Sequence, residues 1–281
     1  MANVANLNTT TTQAVDVPEV WASAVMRARE DNFVAAQLFS RKDQLVANKG
    51  DLIHFPEGGQ ASAVAIAEGG RLSDNLAAGT STEKTIAIDK EYDAPFLVSN
   101  KLSIQSMYDE VAERYWEAGI AIAKQTDTDI LALESGFSNT AVGTAASAID
   151  NKTLTEAKET LDLKDVPFSD RFWILSPREE KDLLDLPGNY FTSMDFSNTK
   201  SLVAGQMGRV LLGSSVYFTN NLPAGKSIYA HKTAIGVAMQ KAPKTEGENN
   251  LDMRGYLGNV STLYGTGVLR EDHGVTINRR A

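Results

Sequence analysis

The segment from Met107 to Glu134 limits the possible folds more than any other part of the sequence. Val111, Tyr115, Ile122, Thr126, Ile130 and Leu133 recur at spacings of three, four or seven, and Trp116, Ile120, Ala123 and Leu131 widen the stripe. Glu110, Glu113, Arg114, Glu117 and Lys124 fall on the other side. That period describes an amphipathic helix with one face against a core. Ser106 and Asp109 supply a capping pair at its start. At about 1.5 Å per residue the helix would run roughly 42 Å, whereas the mean helix has about three turns. The spacing therefore predicts an architectural beam.

Upstream of the beam, Leu52-Ile53-His54-Phe55-Pro56 reads as a strand after the Gly50-Asp51 turn. Thr85 to Asp89 alternates, and Tyr92 to Val98 continues as a strand. Between them, Glu57 to Thr82 holds five glycines in 26 residues and no aromatic residue, so it has little with which to fill a core. A long structureless loop is rare in a compact domain unless it has a use. These segments predict a β-hairpin that projects from the body and needs a partner surface, because isolated hairpins are only marginally stable.

The N-terminal stretch Met1 to Val15 is uncharged and carries the run Thr9 to Thr12. It is either a frayed terminus or an arm ordered against another subunit. Pro18 opens a helix, with Val20, Trp21, Ala24, Val25 and Ala28 on one face, and the pattern resumes at Phe33, Val34 and Leu38. Arg27, Arg29, Arg41 and Lys42 lie on or near it, as a solvated face or as a local contact to nucleic acid or an acidic neighbour.

After the beam, Ser135 to Ala148 is small and polar, a linker and the expected domain boundary. Helix and strand then alternate. Thr153 and Glu156 form a capping box ahead of Ala157 to Leu163, and Arg171 to Leu175 is a buried-type strand. Ser176 and Glu179 cap a helix that runs from Pro177 to about Leu186. Strands are expected at Val216 to Thr219, Ser227 to His231, Ile235 to Met239, Val260 to Arg270 and Val275 to Asn278, with Lys244 to Asn250 as a polar loop.

Composition narrows the chemistry. The chain has no cysteine, which removes disulfides, thiolate nucleophiles and cysteine-ligated metals. Its three histidines, His54, His231 and His273, stand apart in sequence, which leaves little material for a histidine-rich metal site; His54 and His273 have no carboxylate partner evident there and read as structural or exposed groups. A net charge of −9 argues against broad nucleic-acid binding. No window approaches the roughly 18 consecutive apolar residues of a membrane helix, and no basic region followed by an apolar stretch marks a secretory signal. A soluble protein made in the cytoplasm, without cofactor or metal, is expected.

The candidate chemical motifs weaken on inspection. Asp127 and Asp129 are two apart, so a helix does not put them on one face, and a solvated or capping role is the better reading. Gly205 to Gly213 lacks both the lysine of a phosphate loop and dinucleotide spacing. Ser176 lacks the Gly-x-Ser-x-Gly context of a hydrolase nucleophile and reads as an N-cap. These motifs supply no enzyme site.

An ordered series of segments resembles the major capsid proteins of tailed bacteriophages, which have the Hong Kong 97 phage fold. The series runs through Pro18-Glu19-Val20-Trp21, Asn32 to Ala36, Gly50 to Pro56, Gln105 to Asp109, Ala123 to Asp129, Arg171 to Pro177, Gly213 to Pro223 and Tyr264 to Arg270. The resemblance implies an α+β fold. Residues 1–48 would be an N-terminal arm and helix, and 49–90 an extended loop lying over an adjacent subunit. Residues 91–148 and 260–281 would form a peripheral domain with the spine helix, and 149–259 an axial domain.

The implied function is an icosahedral shell built from hexamers and pentamers around double-stranded DNA. Implied partners are further copies of the chain, a portal protein, and separate scaffolding and decoration proteins. Trp21, Phe33, Phe39, Arg71 and Tyr92 are the interface candidates; the aromatic ones could equally pack inside their own subunit. Arg27, Arg29, Arg41 and Lys42 are the candidate DNA-facing residues. Some members join a lysine of the extended loop to a neighbour's asparagine; here Glu57 to Thr82 has no lysine, so no such crosslink is expected. An encapsulin-type compartment shell is the alternative on the same fold, and a soluble α/β enzyme using Asp, Glu or Ser the alternative from another class.

Overall fold

The computed structural model describes residues 34–45, 50–59, 63–65, 68, 71, 81–106, 109–145, 147–185 and 210–280. The helix expected at Pro18 and most of the Glu57–Thr82 stretch lie outside these residues. In chain order the elements are α1 (Ala35–Leu38), β1 (Ser40–Arg41), β2 (Leu52–Gly58), β3 (Ser81–Ala87), β4 (Lys90–Ser99), α2 (Asn100–Gln105) and the beam α3 (Glu110–Leu131). Then follow α4 (Asn151–Asp162), β5 (Arg171–Leu175), α5 (Pro177–Leu184), β6 (Val210–Leu211), β7 (Ser214–Phe218) and β8 (Lys226–His231). The chain closes with β9 (Ile235–Asn250), β10 (Gly255–Val268) and β11 (Gly274–Asn278).

Local chemistry sets most helix starts. Asp109 is the N-cap of α3 and accepts the Ala112 N–H at 3.2 Å, while Ser106 Oγ donates to Glu110 at 3.1 Å. Glu110 and Glu113 in the first turn suit the positive end of the helix dipole. At 22 residues α3 spans roughly 33 Å, shorter than expected, because Asp109 caps it at Glu110 and it tightens into a 3₁₀ turn over Ala132–Gly136. Helix α4 starts earlier than the Thr153 box predicts. Asp150 is its N-cap and accepts from Thr153 N–H at 2.8 Å. Helix α5 shows the expected box, with Ser176 and Glu179 bonding reciprocally and Pro177 in the first turn.

The strands form a four-stranded sheet in the order β1-β9-β10-β4, a five-stranded sheet in the order β11-β8-β5-β7-β6, and the two-stranded hairpin β2-β3. Two segments depart from the expected division. Strand β9 lies within 149–259 yet pairs with β10 and β1, while β11 lies within 260–281 yet pairs with β8. The chain thus crosses between the two sheets after β8 and again after β10. The segment expected as a polar loop, Lys244 to Asn250, is the distal half of β9. It is exposed on both faces and so shows no period; its order comes from pairing with β10 from Gly255↔Asn250 to Ser261↔Lys244.

Strand β5 is buried along its whole length, and its alternate residues feed two cores. Trp173 and Leu175 join Leu154, Leu161, Tyr229 and Ile277 beneath α4. Phe172 and Ile174 join Ala35, Phe39, Ile130, Leu131, Ile228 and Ile235, where the end of α3 and the N-terminal segment meet the five-stranded sheet. Elsewhere α3 packs on the four-stranded sheet through Ala118, Ile122 and Val260. The hairpin base packs against β9 and β10 through Ile53, Ile86, Ile88, Ala238 and Leu263.

Candidate functional site

The hairpin is a two-stranded unit separate from the two larger sheets. Its strands pair from Leu52↔Ala87 to Gly58↔Ser81. Burial declines along it, from Ile53 and Ile86 at the base to exposed Gly58 and Ser81. The base can seat closely because Gly265 has no side chain: a Cβ there would strike the Ala87 carbonyl. Lys84 pairs with Glu271, tying β3 to the turn before β11, and His54 pairs with Glu83 across the hairpin, a partner its sequence context did not reveal. In a two-stranded unit both strands are edges, which invites a covering surface.

The N-terminal segment is held by a carboxylate of the beam. Asp127 is buried, and its Oδ1 accepts the N–H groups of Val34 at 3.2 Å and Ala35 at 2.7 Å. Its Oδ2 accepts from Asn221 Nδ2 at 3.1 Å. Burial pushes its carboxyl up from the ordinary aspartate range, opposed by these hydrogen bonds. Asp129 faces the sheet instead, accepting from Tyr92 at 3.0 Å, Tyr264 at 2.9 Å and Gln125 at 2.8 Å, with Lys90 at 3.3 Å. The two aspartates do point apart, but neither is solvated: Asp127 caps a helix other than its own.

The expected site residues divide. Trp21, Arg27, Arg29 and Phe33 lie outside the described residues. Phe39 is taken into its own subunit's core, edge-to-face with Phe172 at 5.1 Å, so it is not a surface anchor. Tyr92 also packs internally, against Tyr264 and Asp129. Arg71 is exposed in the stretch beyond the hairpin strands. Arg41 sits in β1 with its charge met by Asp43 at 2.6 Å, and Lys42 donates its backbone N–H to Val237.

Sequence reasoning missed an apolar tip at the free end of the four-stranded sheet. Leu97 lies near the end of β4, Leu102 and Ile104 lie on α2, and Leu251 and Met253 are in the β9–β10 turn; Ile104 and Leu251 are 83% and 92% exposed. Asn100 N–H bonds Arg254 O at 2.9 Å and holds the turn to α2. These side chains follow no single helical or strand period, so no sequence signal grouped them. Among the described residues no group of three or more His, Asp or Glu is placed to hold a metal, and no helix is long and apolar enough to cross a membrane.

Comparison with known proteins identifies the class. Residues 47–279 match the phage capsid protein family. A structure from Mycobacterium phage Che8 superposes with a TM-score of 0.79 at 23% identity, covering 94% of this chain and 97% of that one. The capsid of cyanophage P-SCSP1u gives 0.77 at 18% identity, over 99% and 96% of the two chains. The capsid of a native GTA particle gives 0.73 at 12% identity, over 98% and 100%. A comparison with curated protein sequences gives no match. The fold is the mixed α+β fold of phage capsid structures, a class of proteins made to build shells. The chain belongs to the phage capsid protein family.

Proposed function

We propose that the chain is the major capsid protein of a tailed phage with the Hong Kong 97 type of fold. It assembles through hexamers and pentamers into an icosahedral shell around double-stranded DNA. The family match across residues 47–279 carries this reading. In it, 1–48 is the arm and 49–90 the extended loop; the four-stranded sheet with α3 is the peripheral domain, and the five-stranded sheet with α4 and α5 the axial domain. The hairpin and the tip of Leu97, Leu102, Ile104, Leu251 and Met253 meet neighbouring copies, together with Trp21, Phe33 and Arg71. The shell is non-enzymatic and is held by non-covalent contacts. It is made in the host cytoplasm and joined by a portal protein and by separate scaffolding and decoration proteins.

The net charge of −9 suits a container whose DNA has to leave, since many lysine and arginine contacts would grip phosphate strongly. Arg27, Arg29, Arg41 and Lys42 are the proposed local DNA contacts. Particles purified from lysed host cells test the reading. Nuclease-protected double-stranded DNA inside them is expected, and its amount falls when these four residues are changed to glutamine. A co-purifying cargo enzyme without DNA would favour a compartment shell, and an unchanged DNA content in the glutamine variant would remove the four contacts.

A further inference from the structure

His231, Thr233 and His273 meet where the chain passes from one sheet to the other. His231 ends β8, Thr233 lies in the β8–β9 connection, and His273 closes the 3₁₀ turn before β11. His231 Nδ1 is 3.3 Å from the Thr233 backbone nitrogen and 2.8 Å from Thr233 Oγ1. The same oxygen is 2.7 Å from His273 Nδ1. Both imidazoles are buried, edge-to-face, with ring centroids 5.5 Å apart.

The backbone contact assigns the proton of His231. A backbone N–H can only donate, so His231 Nδ1 presents its lone pair and the ring carries its proton on Nε2. The Thr233 hydroxyl, able to donate and to accept, bridges the two rings. His273 Nε2 lies 3.9 Å from Asp272, so a proton there meets a carboxylate. A second proton on His231 would sit at Nδ1 and face the Thr233 N–H, a group that can only donate.

The connection that would suffer is a fastening point. Ser40 N–H bonds Lys232 O at 3.1 Å, and Lys232 N–H bonds Asp170 O at 3.1 Å. Leu269 and Arg270 N–H groups bond Ala234 O at 2.9 and 3.2 Å. Lys232 and Ala234, on either side of Thr233, therefore hold the N-terminal segment, the approach to β5 and the exit of β10. We propose that His231, Thr233 and His273 form an acid-operated latch on the joint between the two sheets. A proton at His231 Nδ1 sets donor against donor at Thr233 and loosens the connection.

The surrounding charges are mixed. Around His231 stand Asp170, Arg171, Arg270 and His273; around His273 stand Asp272, Arg270, His231 and, from the hairpin, Glu57. Burial dominates and holds both imidazoles below the ordinary value of 6.5. The unfolded or opened chain therefore binds the proton more readily. The latch is closed at neutral pH and weakens as pH falls from about 6.5 toward the lower folded value.

Hydrogen exchange of the full chain, corrected for intrinsic rates, tests this. Between about pH 7.5 and pH 5 the amides of Thr233, Ala234, Leu269 and Arg270 are expected to lose protection by about tenfold or more, while those of β5 keep theirs. His231→Asn, which offers an acceptor oxygen near the Nδ1 position and does not titrate, stays closed at the lower pH. No loosening in the unaltered chain, or equal loosening in His231→Asn, overturns the proposal. Imidazole nitrogen chemical shifts of the unaltered chain give a check that needs no variant. Nε2–H at His231 is expected at neutral pH, and Nδ1–H at His231 would refute the latch.

Discussion

Asp127 shows how a single side chain can organise distant parts of this subunit. Its acceptors hold Val34 and Ala35, more than ninety residues upstream, and Asn221, more than ninety downstream. Asp127→Ala leaves those donors buried without an acceptor, which should cost about 2–3 kcal/mol in chemical denaturation. Asp127→Asn keeps one oxygen for the α1 amides but sets its own NH₂ toward that of Asn221, and should cost about 1 kcal/mol. Equal losses for the two variants would show that the α1 amides are not the dominant partners. The sign of the pH effect is also defined. Because burial holds this carboxyl above its ordinary value, the folded chain takes up the proton first, so its contribution to stability grows as pH falls through that window. None of this was legible in the sequence. Asp127-Thr128-Asp129 identified two carboxylates on different helix faces, but their partners come from segments the local pattern cannot place. By contrast the Ser176–Glu179 box was legible, because both of its bonds close within one turn.

At the scale of elements, legibility follows how locally each element is stabilised. Strand β5 announced itself through Phe172-Trp173-Ile174-Leu175, because both faces meet cores. The beam announced itself through its period, though its ends did not: the 3₁₀ turn at Ala132–Gly136 has no compositional mark. The distal half of β9 stayed hidden because its support is a partner strand and its side chains face solvent. The hairpin was legible as two strands around a core-poor stretch, and its register now allows a clean test. Residues 59–80 can be replaced by Asn-Gly, joining Gly58 directly to its partner Ser81 in a two-residue turn. The two sheets should keep their circular dichroism and thermal midpoint, since the hairpin core lies at the base, while particle assembly is lost. Full assembly of this variant would show that the distal hairpin is not a clamp.

For the whole molecule, the amino-acid content and the fold point to one mode of assembly. The chain offers no cysteine for disulfides, and Glu57 to Thr82 offers no lysine for an amide crosslink. Lys84, at the hairpin base, is engaged by Glu271 of the same subunit. Boiled particles should therefore run on a denaturing gel at the single-chain mass of 30.4 kDa, and a ladder of covalent multimers would contradict non-covalent closure. The single subunit leaves two surfaces uncovered, the hairpin edges and the apolar tip of α2 and the β9–β10 turn. The central claim is that these surfaces close on further copies of the same chain. Negative-stain electron microscopy of the purified chain, alone and coexpressed with the other proteins of its particle, tests it most directly. Closed icosahedral particles, or five- and six-membered rings on the way to them, are the predicted result. A population of monomers and small oligomers alone would contradict the account.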